Sequence, residues 1–213
     1  MIPSFAAPPH PNTSLPFDKL RAPPLVLAST SPFRRELLGR LGVPFATRAP
    51  EVDETPCPGE LPATLVSRLA VSKAKAAANA FPCALIIGSD QVSVIGTEIL
   101  GKPHTHARAT QQLRKAAGQR VDFLTGLCVY NSATATAQVD VIAFSVYFRA
   151  LDSAQIERYL QQERPYNCAG SFKSEGLGIS LLERMEGSDP TALIGLPLIR
   201  LTAMLAQEGC AIP

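Results

Sequence analysis

The sequence predicts an α/β architecture, on three observations. Short apolar runs of strand character are each followed by a capped, helix-forming stretch. A later block turns to β-branched and aromatic residues broken by one polar turn, the pattern of an antiparallel hairpin. Apolar residues make up 46% of the 213 positions and charged ones 18%, so burial can offset the entropy of ordering a chain long enough for one domain or two closely packed lobes.

The folded part is expected to begin at Leu25, where LVLAS suits a buried strand. Ser31 can cap the next helix, Pro32 stands where a missing donor is harmless, and Leu37, Leu38 and Leu41 form an apolar face closed by Gly42. Strand, short polar turn and helix N-terminus together make a phosphate-binding geometry. The Ala-rich stretch from Leu61 to Ala80 predicts a long helix, with Leu65, Leu69 and Ala76 on one face and Arg68, Lys73 and Lys75 elsewhere. LIIGSD, Leu85 to Asp90, reads as a second buried strand that presents Asp90 at its terminus.

Thr105 to Ala117 predicts a further helix closed by Gly118. Arg120 to Ala150 predicts the hairpin, turning between Asn131 and Thr136. Asp152 and Gln155 have capping-box spacing for a helix through Gln162 that faces Ile156, Tyr159 and Leu160 inward. GLGISLLERM reads as a strand, and GLPLIRLTAMLAQEG as a closing helix ending at Gly209. Residues 1 to 22 are Pro-rich, and we expect a disordered extension or a start codon assigned too early, ahead of a domain over 23 to 213.

Charge excludes some functions. With 20 Lys and Arg against 18 Asp and Glu, the net +2 gives no broad field for nucleic acid or anionic lipid, so any phosphate binding must be local. No run approaches the ~18 apolar residues that span a bilayer, and the N-terminal stretch matches no targeting pattern. Cys57, Cys83, Cys128, Cys168 and Cys210 form no CxxC pair and have no His at metal-ligand spacing. Free thiols in a cytoplasmic protein are the expectation, with no nucleic-acid or membrane partner.

Four stretches carry residues suited to phosphate chemistry. LASTSPFRRELL gathers Ser29, Thr30, Ser31, Arg34 and Arg35 at one helix N-terminus, where amides, hydroxyls and a guanidinium fork match phosphate oxygens. EVDET clusters Glu51, Asp53 and Glu54, carboxylates that can hold a hard divalent cation. Asp90 is a carboxylate on a buried strand, which needs a metal or a base as partner. Lys73, and Lys102 within a GKP turn, can aim ammonium groups at phosphate, and the glycines of AGSFKSEGLGI allow a tight loop around Lys173 and Glu175. Taken singly, each is equally an ordinary cap, solvated turn or surface charge.

Together and in order, LASTSPFRRELL, VDET, RLAVSKAKA, IGSDQV, GKP and CAGSFKSEGLGI resemble the consecutive signatures of Maf-type nucleotide pyrophosphatases, from Leu25 to near the C-terminus. The resemblance implies a mixed, curved sheet flanked by helices in the Maf or ITPase-like manner, with two lobes enclosing a nucleotide cleft. It implies hydrolysis of a nucleoside triphosphate to monophosphate and diphosphate with Mg²⁺ or Mn²⁺. GSDQV and SFKSEG resemble the branch acting on 7-methyl-GTP, a house-cleaning activity. Carried over by motif, Asp90 is the proton acceptor; Phe33, Gln91 and Glu175 set substrate specificity; Ser29, Arg34, Lys73 and Lys102 bind phosphate; Glu54 and Asp90 hold the metal. Phe33 departs from the Trp usual in that branch, which leaves a dTTP/UTP pyrophosphatase open beside it. A non-catalytic nucleotide-binding regulator of cell division is the alternative from another class. A homodimer is a further expectation of the resemblance.

Physical chemistry rationalises the specificity set. N7-methylation makes guanine cationic, so the Phe33 ring can attract it through a cation–π contact. Glu175 can accept from guanine N1–H and the exocyclic amine. Gln91 is expected to donate to O6.

Overall fold

The computed structural model of the chain describes residues 23 to 212, so the extension expected over residues 1 to 22 lies outside the described residues. The first strand, β1 (Leu25–Ala28), leads through a polar turn into α1 (Pro32–Gly39), capped by Ser31 as its sequence requires. β2 (Phe45–Arg48) and α2 (Pro62–Ala78) follow. Next come β3 (Leu85–Ile95), β4 (Glu98–Leu100) and α3 (His106–Ala116). The hairpin of β5 (Arg120–Asn131) and β6 (Thr136–Phe148) precedes α4 (Ser153–Glu163), whose capping box is fully formed. β7 (Leu182–Glu186), α5 (Pro190–Ile194) and α6 (Leu198–Gln207) close the chain.

The strands form one mixed seven-stranded sheet in the order β2-β1-β3-β5-β6-β7, with β4 beside β3. β1 pairs in parallel with β2 and β3, and the later pairs are antiparallel. The βα half and the hairpin half therefore meet along β3.

The structure corrects the sequence reading in four places. β3 does not end at Asp90 but runs on to Ile95, because pairing with β5 continues from Leu85↔Asn131 through Asp90↔Gly126 to Val94↔Asp122. What stops near Asp90 is the other neighbour: β1 pairs only as far as Leu27↔Ile87. GLGISLLERM is a 3-10 turn over Leu177–Leu181 before it becomes β7. On α2 the buried face comprises Leu65, Val66, Leu69, Ala70, Lys73, Ala74 and Ala77, whereas Ala76 is exposed. Lys73 is thus on the inward face. The pattern missed β2, β4 and α5, since FATR is mostly exposed, EIL is only three residues long and PTALI is a single turn.

Alternation along β3 assigns its two faces. Ile86 packs with Val26, Ala70, Ala74 and Ala77 beneath α2, and Val92 and Val94 pack with Leu65 and Leu69. Ile87 faces the other way, with Leu37 and Leu38 of α1 and Leu201, Met204 and Leu205 of α6. That second face is shared between two cores. Leu127 and Val129 on β5 join the α1/α6 core, while Val121 and Phe123 on the same strand join Leu113, Ile156 and Leu160 of α3 and α4. The paired residues Gln91 and Thr125 stand between the two, so the lobes part where these polar side chains interrupt the apolar face.

α2 crosses the sheet in close contact, and two glycines allow it. A Cβ on Gly88 would lie 2.1 Å from the Ala70 carbonyl oxygen, and one on Gly126 would lie 2.2 Å from that of Val66. The obstacles are backbone, which has no rotamer to yield, so any side chain there must push the helix away. Gly88→Ala is expected to lower the unfolding free energy by about 1 to 3 kcal/mol, the usual range for overpacking; an unchanged urea midpoint would contradict this close packing.

Candidate active site

A cavity of about 520 Å³ opens where the lobes part, a size ordinary for a small-molecule site. Ser29, Phe33, Arg34, Glu54, Lys73, Gln91, Lys102 and Glu175 all line it. Asp90 is on the adjoining α2 face of β3, only 7% exposed, and reaches the cavity through Lys73. All nine predicted positions are therefore brought together, eight at the wall and one just behind it. Glu51 and Asp53 are not at the wall; Asp53 closes a local turn on the Thr55 amide at 2.9 Å.

The centre of the site is the Lys73 ammonium. Its Nζ stands 2.6 Å from Asp90 Oδ1 and 2.7 Å from Glu54 Oε1. Lys73 is 5% exposed, and so little contact with water would disfavour an ammonium lacking paired anions. Asp90 Oδ2 makes no hydrogen bond among the described residues, yet no buried polar side-chain atom there lacks a partner. That oxygen is therefore open to solvent. Burial opposes ionisation of Glu54, but the hydrogen bond and charge of Lys73, helped by Lys102 and Arg34, hold its carboxyl below the ordinary range.

Glu54 comes from a loop stapled to α2. Arg68 forks onto both oxygens of Glu60 at 2.6 and 2.8 Å, and its Nη2 donates to the Thr55 carbonyl at 3.2 Å. Glu60 also accepts from the Cys57 amide, and Arg68 above all draws its carboxyl down to about 2. The loop and Lys73 thus hang from one helix.

On the opposite wall, α1 begins. Ser29 Oγ accepts from the Ser31 amide, and the Ser31 hydroxyl accepts from the Arg34 amide. Arg34 Nε donates to the Gly195 carbonyl at 2.8 Å. Partial burial disfavours the guanidinium charge, while the Asp90 and Glu54 carboxylates favour it. The Gly195 carbonyl also accepts from Ser89, and it follows α5 in an αL conformation suited to glycine (φ +114°).

Gln91 behaves differently from the expectation. Its Nε2 donates to the Ala192 carbonyl at 2.7 Å, the Leu193 carbonyl at 3.1 Å and the Thr125 hydroxyl at 3.0 Å. Two backbone carbonyls require the nitrogen on that side, which fixes the amide orientation. Its donors are thus already engaged, and the group left for a ligand is the amide oxygen, an acceptor. The sequence could not show this, because the carbonyls come from α5, about a hundred residues away.

Several wall residues were not singled out from sequence. Phe123 and Phe172 bring aromatic surface, and Glu163 forms an ion pair at 2.6 Å with Lys173, which the glycine-rich loop had already offered. Phe123 lies within the β pattern, and Glu163 just past the helix expected through Gln162. Cys168 also lines the cavity, but burial first and Glu175 second push its thiol up to about 11, so it is a neutral wall. Among the described residues no group of three or more His, Cys, Asp or Glu could hold a metal, and no helix is long and apolar enough to cross a membrane.

A mixed α/β sheet with Lys and Arg gathered beside a helix N-terminus, at a cleft between lobes, defines a protein built to hold a compact anion. The model of the Maf-like protein family matches residues 24–208, and the chain belongs to that family. It is 58% identical over 191 residues to the 7-methyl-GTP pyrophosphatase of Pseudomonas syringae pv. tomato, covering 90% of this chain and 100% of that protein. It is 59% identical over 189 residues to the protein of the same name in Nitrosococcus oceani, covering 88% and 95%. A third so named, from Pseudomonas aeruginosa, is 56% identical over 191 residues, covering 90% and 100%.

Two measurements check this electrostatic centre. Lys73→Met leaves Asp90 without its counter-charge and is expected to reduce stability by about 3 kcal/mol, as for a buried pair that loses one partner; an unchanged denaturant midpoint would remove the bridge from any structural role. Because the folded-state pKa of Glu54 is depressed, its contribution is present above the ordinary carboxylate range and is lost as pH falls through the lowered value. Glu54→Gln is therefore expected to be less stable than the unaltered protein at neutral pH, with the two melting curves converging in acid. A difference independent of pH would point to lost packing instead.

Proposed function

We propose that this chain hydrolyses 7-methyl-GTP to 7-methyl-GMP and diphosphate, a house-cleaning hydrolase of the cytoplasm acting on the phosphoanhydride bond of a modified nucleotide. The observation that carries the chemistry is Lys73 held between Asp90 and Glu54 at the edge of a cavity that Arg34 and Lys102 also line. The names of the relatives support the substrate. A nucleoside triphosphate is the partner that fits; the near-neutral chain offers nucleic acid no broad basic face. A homodimer belongs to the same reading by resemblance.

The triphosphate is bound by Arg34, Lys102 and the start of α1, where the helix dipole favours anions. A water molecule attacks the α-phosphorus, the bond from that phosphorus to the α,β-bridging oxygen breaks, and diphosphate leaves with the bond's electron pair. Asp90 Oδ2, the oxygen Lys73 leaves free, accepts the proton of the attacking water. Lys73 and Arg34 stabilise charge that grows on the phosphoryl oxygens, so positioning and electrostatics supply most of the acceleration.

The residues present suit Mg²⁺ or Mn²⁺. Each of Glu54 and Asp90 has one oxygen on Lys73 and one left over, and Mg²⁺ typically takes one or two carboxylates together with substrate phosphates and water. Glu54 would hold it directly and Asp90 through one of its waters, which leaves Asp90 Oδ2 free to take the proton, and when bound it supplies charge neutralisation on the phosphate oxygens.

Phe33, Glu175 and the Gln91 oxygen form the base-recognition set. The Phe33 ring can lie against the cationic methylated base. Glu175 and Gln91 both present acceptors, which suits the N1–H and exocyclic amine of guanine and is poorly matched to the acceptor-rich edge of uracil. The acceptor role found for Gln91 therefore favours a guanine over UTP or dTTP.

The decisive measurement is diphosphate release from 7-methyl-GTP, GTP, UTP and dTTP with added Mg²⁺. The highest kcat/KM is expected for 7-methyl-GTP, and a preference for a pyrimidine would overturn the substrate. Asp90→Asn is expected to reduce kcat by about two to four orders of magnitude, the span of general-base and electrostatic contributions. Near-normal turnover by that variant would remove Asp90 from proton transfer.

A further inference from the structure

The loop that carries Glu175 is fastened to the end of α4 by one carboxylate. Glu163 is the last residue of α4, and its side chain is 10% exposed. One oxygen accepts from Lys173 Nζ at 2.6 Å and the other from the Leu177 amide at 2.6 Å. These partners lie on either side of Glu175. The loop closes on itself as well, with the Gly176 and Gly178 amides both donating to the Lys173 carbonyl. Tyr159 of α4 accepts from the Lys173 amide at 3.1 Å.

Gly176 records how tightly Glu163 is inserted, since a Cβ there would stand 2.3 Å from Glu163 Oε2. Its φ of −123° is not in the left-handed region, and the carboxylate is what any side chain there would have to displace. Glu163, Lys173 and Glu175 all line the cavity.

Charge gives the arrangement its meaning. Lys173 is the cation nearest in sequence to Glu175, and a free ammonium there would quench the carboxylate meant for a cationic base. Glu163 engages it instead. The group carries two negative charges and one positive, so one negative charge remains uncompensated, and Glu175 is the member without a cationic partner among the described residues.

We propose that Glu163 is a positioning residue for base selectivity: by holding Lys173 and the Leu177 amide, it fixes the 173–178 loop and reserves the charge of Glu175 for the methylated purine. This rests on the reading of the chain as a 7-methyl-GTP pyrophosphatase.

Glu163→Gln tests it, because the amide oxygen can still accept from Leu177 while the charge that occupies Lys173 is gone. Steady-state kinetics with 7-methyl-GTP, GTP and UTP are expected to show the preference for 7-methyl-GTP over GTP falling about tenfold, on the order of one charge-assisted contact, through KM rather than kcat. Adding Lys173→Met to Glu163→Gln removes the competing ammonium and is expected to restore most of that preference. Lys173→Met alone is expected to keep or raise it, which tests the idea even if Glu163→Gln does not fold. An unchanged preference in Glu163→Gln, no recovery in the double variant, a lowered preference in Lys173→Met alone, or an equal loss on all three nucleotides would each overturn the proposal. A parent protein that prefers UTP would instead defeat the underlying functional reading.

Discussion

A lysine ammonium almost removed from water is costly unless anions surround it, and the rest of this molecule is arranged to surround one. Lys73 comes from the inward face of α2, Asp90 from the middle of β3 and Glu54 from the loop before the helix. None can move independently. α2 is pressed onto Gly88 and Gly126 at van der Waals limits, which fixes Lys73 over Asp90. Arg68, on the same helix, clamps Glu60 and with it the loop that brings Glu54 to the other side of the ammonium. The charged centre and the packing of the sheet are one constraint seen from two sides.

The opposite wall depends on α5, a five-residue helix whose value is its last carbonyls. Ser89, Gln91, Thr125 and Arg34 all donate to Ala192, Leu193 or Gly195. A helix C-terminus leaves such carbonyls without intrahelical partners, and here polar side chains of the sheet and α1 satisfy them. Asp189 locks the segment from beneath, accepting from the Thr191 amide with one oxygen and from the Ile199 amide with the other. The interruption of the apolar sheet face, which makes room for the cavity, is thereby satisfied on its α5 side without water.

Much of this was legible in the chain. The capped helices starting at Ser31, Thr105 and Asp152 are present because side-chain caps and apolar spacing act within a few residues. Each of the nine site positions carried over from the family signatures lies at the cavity or directly behind it. What was misread depended on partners far away. GSD after an apolar run looks like the end of a strand, but β5 keeps β3 paired for another turn of the pattern. Lys73 looked like a surface charge because its burial depends on Asp90, seventeen residues on. Glu163 fell just past the helix expected through Gln162 and carried no signal, because the loop that covers it begins ten residues later.

The sequence alone determined which side chains were available for phosphate and base, and in what order, since residue type and short-range spacing set both local structure and chemical capacity. Tertiary structure decided how those capacities are spent. It set Asp90 behind Lys73 with one oxygen free, and it turned Gln91 from a donor to an acceptor. It also paired Lys173 with Glu163. Hydrogen-bond direction and charge compensation depend on which groups stand within about 3 Å of each other, and only the folded sheet brings residues scattered along the chain to that distance.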